Sequence, residues 1–282
     1  MRINRSIIIY SFLIVDVELF IAIFIHGGGY NDYINAIVMV ATAIFSILIA
    51  FLISMAHGRL TKINETLKQH EGNLLFIYQL TDLFGEQSKK EVQELIDLYL
   101  IDQLDYYLYD FKYSNKSFFK LFTYLIKLEA KNPTQEISYA SIQSAIADCS
   151  KDRKIVESLV NERLSILEWF SIVSLLSLII FIVFYMNTGG LVEIVITVVL
   201  SSSVIALTFV LKQLNNLSWK EDSWIWEPMQ ILFKELDLIP YLPDGVVKKH
   251  RARIAVGEKI RIAHYKNTYP DMTEKTIEII EI

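Results

Sequence analysis

The sequence predicts an all-α integral membrane protein, with four transmembrane helices as two hairpins, a helical cytoplasmic domain between them and a small C-terminal β-hairpin. Three observations predict it. Four apolar runs reach the length of about 17–25 residues that a bilayer crossing requires. The 27 basic residues all lie outside those runs and outside the two short loops that join them in pairs. The stretch between the pairs repeats apolar residues at helical spacing. With 53% hydrophobic residues in 282 and a mean hydropathy of +0.36, the chain is too apolar for an ordinary soluble domain.

The spans are placed at Ile7–Ile25, Ile34–Met55, Trp169–Met186 and Leu191–Leu211. The start of the chain, Arg2 and Arg5 before an apolar run, is similar to a secretory signal. The run nevertheless carries Asp16 and Glu18 and has no small-residue cleavage site, so it is read as a true span. His26–Asp32 and Asn187–Gly190 make the turns, and neither contains Lys or Arg. Arg59, Lys62 and Lys68 follow the second span, Lys151, Arg153, Lys154 and Arg163 precede the third, and Lys212 and Lys220 follow the fourth. The positive-inside rule then puts both termini and the central domain in the cytoplasm of a bacterial inner (plasma) membrane. The domain limits that follow are 1–55, 56–168, 169–211 and 212–282.

In the central domain the expected helices cover about 58–84, 87–112, 115–131, 135–149 and 151–167, with Pro133 the strong breaker. The second span is expected to continue past His57, and the last helix to run on into the third span; Gly58 is the residue that argues against continuity. In the tail, Trp219, Trp224 and Trp226 suit either a membrane interface or packing onto the cytoplasmic helices. Glu227-Pro228 opens a helix that Ile239–Pro243 ends, and Lys259–Tyr265 and Lys275–Ile282 alternate with period two, as paired strands do.

Several residue sets invite a functional reading. An acid at the bilayer centre costs about 2.5–3.5 kcal/mol on insertion scales, so Asp16 and Glu18 should face protein or water. Two residues apart on a helix they point about 200° from each other. One face, shared by Ser11, Glu18 and Ala22, meets the chain's own bundle, and the other requires a second subunit, a pore or a crevice. Both acids serve equally as hydrogen-bonded glue or as an ion or proton pathway. Glu193 and Ser201, Ser202 and Ser203 add polar groups to the fourth span, with local backbone bonding as the ordinary role of such serines. Thr42, Ser46, Ala50 and Ser54 form a small-residue stripe whose ordinary role is close helix packing. Lys248, Lys249, Arg251 and Arg253 are candidates for lipid headgroups, or a solvated face. Cys149 reads as a small buried hydrophobe, and Tyr99, Tyr106, Tyr107 and Tyr109 as packing or subunit contacts. No cofactor, metal or nucleic acid is expected: the histidines lack ligand spacing, and a net charge of −5 supplies no basic field. No constellation of nucleophile, base and orienting group is visible, so no enzyme is expected.

This order of parts resembles the bestrophin-like domain family of bacteria and plants. Glu71-Gly72-Asn73-Leu74-Leu75 resembles its acid-led apolar helix, and Tyr99 to Asp105-Tyr106 its tyrosine followed by an acid and an aromatic. Arg163-Leu164 before Glu168-Trp169 resembles its run into the third span. The likeness covers about residues 5–215 and implies kinship to bestrophins, which assemble as pentameric anion channels gated from the cytoplasm. The expectation is therefore a homo-oligomeric channel of undetermined ion, surrounded by membrane lipids. The second span departs from bestrophins in having no proline and no compact aromatic neck. A non-conducting membrane-anchored scaffold or sensor, binding partners through its cytoplasmic helices, is the alternative.

Overall fold

In the computed structural model, residues 5–29, 31–106, 112–219, 222–248, 252, 257–267 and 272–281 are described, with side chains from Val15 onward except that of Asp222. The chain forms two compact units, one from residues 1–58 and 163–219 and the other from 59–162 and 220–282.

The first unit holds α1 (Arg5–Phe24), the first half of α2 (Asp32–Thr81), α6 (Ile166–Met186) and α7 (Leu191–Asn215). Three helices among the described residues, α2, α6 and α7, are long and apolar enough to cross a membrane and are the candidate spans of a multi-pass membrane protein. α7 packs against both α1 and α6. Along α2 the residues Ala41, Phe45, Ile49, Leu52 and Ala56 recur every three to four positions and are buried, which gives the helix a single inward stripe.

α2 is one helix of 50 residues, so the expected continuation past Gly58 is present. A Cβ at Gly58 would meet nothing within 4 Å. The other expected continuation is absent. The helices expected at 135–149 and 151–167 are one helix, α5 (Pro133–Asn161), which stops short of the third span. Ser165 then starts α6 with a capping box: Glu168 N–H donates to Ser165 Oγ at 3.3 Å, and Ser165 N–H donates to Glu168 Oε2 at 2.6 Å. Reciprocal satisfaction of two free backbone donors fixes a helix start, and hence a break before it.

The second unit contains the rest of α2, then α3 (Glu86–Asp105), α4 (Asn115–Ile126) and α5. A buried polar hub ties these helices. Arg153 of α5 donates from Nη1 to Tyr99 Oη at 2.7 Å and to Ser114 Oγ at 3.1 Å, and from Nη2 to Asn115 Oδ1 at 2.5 Å. Its guanidinium also lies 4.6 Å from the centre of the Phe118 ring. Tyr99 Oη is 2.8 Å from His70 Nε2, and because that hydroxyl already accepts from Arg153 its own proton serves His70. Cys149 is fully buried beside the hub, as a small hydrophobe should be, and burial pushes its thiol pKa up.

The tail belongs to this unit too. Trp224 and Trp226 are buried in it, which decides for packing over a membrane interface, and α8 (Glu227–Glu235) follows. The expected two-stranded hairpin is a three-stranded sheet. β2 (Lys259–His264) pairs antiparallel with β3 (Thr276–Glu281) and parallel with β1 (Tyr241–Pro243), the segment that was expected only to end a helix. The short α9 (Asp244–Lys248) follows β1. Two acids of α3 anchor the sheet. Asp97 takes a bidentate pair from Arg261 at 2.6 and 2.7 Å, and Asp105 accepts from Lys275 at 2.7 Å and from the hydroxyls of Tyr241 and Tyr265. Burial and the Asp105 charge push the Tyr241 phenol pKa up, so it stays a donor.

Candidate functional site

The polar residues of the first unit fall into three groups. The first is Glu18. It is buried on α1 and accepts a hydrogen bond at Oε2 from Ser202 of α7, while Oε1 is buried without a partner among the described residues. Ala22, one turn on, is fully buried, so the face shared by Glu18 and Ala22 is the one that packs. Asp16 is exposed, about 12 Å from the Phe24 end of α1 at 1.5 Å per residue. The two acids therefore serve different faces, as their spacing requires. Ser201 and Ser203 do not join them: Ser201 donates to Thr197 O at 2.8 Å and Ser203 to Val199 O at 2.6 Å, both within α7.

The second group knots the two short loops together. Gly27 N–H donates to Asn187 O at 2.7 Å, Gly29 N–H to Tyr185 O at 3.2 Å, and the buried Asn187 side chain donates to Ala22 O at 2.6 Å. Both loops without basic residues thus lie at the same end of the bundle. Glu193 closes the second loop, accepting from the Thr188 backbone N–H at 2.7 Å and from its hydroxyl. The approach at Gly27 is so close that a Cβ there would overlap the Tyr185 carbonyl. Gly27→Ala is expected to destabilise this junction by the upper end of the usual overpacking cost, about 1–3 kcal/mol. A thermal-unfolding comparison with Gly58→Ala, where there is open space, checks it.

The third group is a groove of about 670 Å³ between α2 and the α6–α7 hairpin. Its polar lining comes from Asn35, Thr42 and Ser46 of α2, with Asn187, Glu193 and Thr197 opposite. A second groove of about 550 Å³ shares Ser46 and continues past Ala50 and Ser54 to His57. The track from Asn35 to His57 rises through 22 residue steps, about 33 Å of helix, close to the roughly 30 Å hydrocarbon thickness of a bilayer. Thr42, Ser46, Ala50 and Ser54 are all exposed within the chain, so the small stripe does not pack against the chain's own helices.

The sequence marks Asp16, Glu18, Glu193, the α7 serines and the α2 stripe, but not their pairings. Ser202 was one of three equivalent serines, and nothing in the local sequence distinguishes it as the partner of a glutamate 184 positions earlier. Asn187 and Gly27 read only as turn residues and Tyr185 only as part of the third span; a glycine run facing an Asn-Thr-Gly-Gly loop is the available signal. Of the basic cluster, Lys249, Arg251 and Arg253 lie outside the described residues, and Lys248 pairs with Asp244 at 2.6 Å. Tyr107 and Tyr109 also lie outside them.

Compared with known families, residues 22–216 match the model of the Bestrophin-like domain. The match begins after Asp16 and Glu18 and ends before the sheet-bearing tail. No curated protein and no solved structure matches the chain.

Proposed function

The chain belongs to the Bestrophin-like domain family, and on that premise we propose that it is a homo-oligomeric membrane channel, a pentamer by kinship with bestrophins, whose α2 helices line a central path. In this reading α1 is a fourth span, and both termini and the helical unit lie in the cytoplasm of an inner membrane. The knot that brings the two loops without Lys or Arg to one end of the bundle supports the orientation.

The single observation that carries the proposal is the α2 track. One stripe of the helix is buried in the chain, while an adjacent stripe of hydroxyl and small residues borders open grooves over a bilayer's thickness. Hydroxyls facing lipid have only their own helix backbone to bond, whereas hydroxyls facing a wet path are open to water and ions as well. Glu18 and Ser202 act as the pin between α1 and α7, Ser201 and Ser203 as local backbone caps, and Glu193 as the brace of the outer turn. The exposed Asp16 meets a neighbouring subunit.

The test is ion flux from liposomes holding the purified oligomer, for a monovalent anion and a monovalent cation in turn. Thr42→Leu/Ser46→Leu is expected to cut flux at least tenfold with the oligomer intact. No flux of either ion from a verified oligomer overturns the channel and favours the scaffold reading.

A further inference from the structure

We propose that the groove between α2 and the α6–α7 hairpin binds a lipophilic organic cation, with its apolar chain along the groove and its charged head at Glu193. The inference takes the membrane placement of this unit from the proposed function, but not conduction. The groove has the make-up of a small-molecule site: about 670 Å³ of space, mostly apolar walls and a few polar groups. The charged and amide groups, Asn35, Asn187 and Glu193, lie at the end that carries the two loops. Ile179 of α6 and Leu200 and Val204 of α7 line the far part. From Glu193 to Val204 α7 rises through 11 residue steps, about 16–17 Å, and α2 covers the same length from Asn35 to Ser46. That is about half of a roughly 30 Å hydrocarbon layer, the depth of one leaflet.

Charge decides the head. Glu193 is the only charged residue of the lining, and no cation pairs with it among the described residues. Thr188 donates to its Oε2 through the backbone N–H at 2.7 Å and through the hydroxyl, which holds the carboxylate in place without neutralising it. Glu193 is also exposed, so an entering head can reach it. A carboxylate at the edge of a hydrocarbon layer attracts a counter-ion more strongly than one in bulk water. The oligomer does not supply that ion: neither loop contains Lys or Arg, so a neighbouring copy brings neither to this end. Nor does a phospholipid fit, because its phosphate would meet Glu193 and find no cation in the lining. A positive head on an apolar stem satisfies both parts of the groove.

The test uses the full chain in phosphatidylcholine nanodiscs and radiolabelled dodecyltrimethylammonium, read by scintillation proximity against empty discs. Saturable binding is expected, at least tenfold tighter than that of competing dodecanol or dodecanoate, and weaker as salt rises. Glu193→Gln keeps an acceptor for Thr188 and should lose that preference for the cation. Because Glu193 also braces the outer turn, Met39→Trp is the second variant: it leaves the carboxylate in place, fills the apolar part of the groove and should weaken dodecyltrimethylammonium several-fold. No saturable binding, equal affinity for the alcohol, or undiminished binding in both variants overturns the proposal. In the channel reading the same cation should also stop ion flux. Saturable, Glu193-dependent binding to an oligomer that passes no ion overturns that reading alone and supports the site.

Discussion

Replacement of Arg153 by methionine is expected to destabilise the helical unit by about 3 kcal/mol or more. Arg153 is 5% exposed and gives hydrogen bonds to groups on α3, on α4 and at the residue preceding α4. Methionine restores much of the volume but leaves Tyr99 Oη, Ser114 Oγ and Asn115 Oδ1 without this donor. A buried group that loses its partner costs about 1–3 kcal/mol, and hydrogen bonds from a charged donor are among the stronger ones. The packing over Phe118 and Tyr99 goes as well. Lysine does not rescue: its single ammonium cannot span the planar fork that reaches both Tyr99 and Asn115. The measurement is thermal unfolding of the purified protein. A drop of roughly 6–12 °C is expected, given about 2–4 °C per kcal/mol for a chain of this size class. An unchanged transition for Arg153→Met would mean the hub contributes nothing net.

That hub shows where sequence ran out. The spans were legible because hydropathy is a property of contiguous residues, and the two-faced first helix was legible because Asp16 and Glu18 are fixed by 100° steps alone. The start of α6, and with it the break after α5, is written in Ser165-Ile166-Leu167-Glu168, a four-residue capping signal that an expected continuous helix passes over. β1 was hidden for another reason. Tyr241–Pro243 is only three residues long and follows Pro240, and its pairing depends wholly on β2, whose Arg261 N–H donates across to Pro240 O at 2.8 Å. His70, Tyr99 and Arg153 each sit in an unremarkable helical context, and only the fold brings α2, α3 and α5 together around them. The sequence marks Tyr99 as a packing tyrosine and a place in the family pattern, and Arg153 only as one of the basic residues before the third span. The α2 stripe was visible as a stripe, but whether it packs or lines space depends on which neighbours exist.

The second large effect is the pH dependence of the same region, where adjacent residues of α2 pull in opposite directions. Burial, aided by the Arg153 charge, lowers the His70 pKa to about 3 from an ordinary 6.5. The unfolded chain therefore binds a proton that the folded chain refuses, and stability from this group is lost as pH falls from 6.5 towards 3. At about 1.36 kcal/mol per unit, the full loss is about 4–5 kcal/mol. Protonation would also remove the acceptor for the Tyr99 hydroxyl and place a second cation beside Arg153.

Glu71 behaves in the reverse sense. Partial burial, reinforced by Glu235, outweighs Lys68 and pushes its pKa up to about 7 from 4.5. The folded chain now holds the extra proton, so acidification from 7 to 4.5 stabilises, by about 3 kcal/mol at most. Between pH 7 and 4.5 the two contributions nearly cancel in the native protein, and below 4.5 only the His70 loss remains. Removing one partner exposes the other. His70→Gln, whose side-chain oxygen keeps an acceptor near the position of Nε2, is expected to gain stability relative to the native protein as pH falls from 7 to 4.5. Glu71→Gln should instead lose stability over that interval, and start from a higher value at pH 8. Denaturant titrations at a series of pH values read both slopes. Slopes of the same sign for the two variants, relative to the native protein, would show that the buried histidine and the half-buried glutamate do not carry opposing protons.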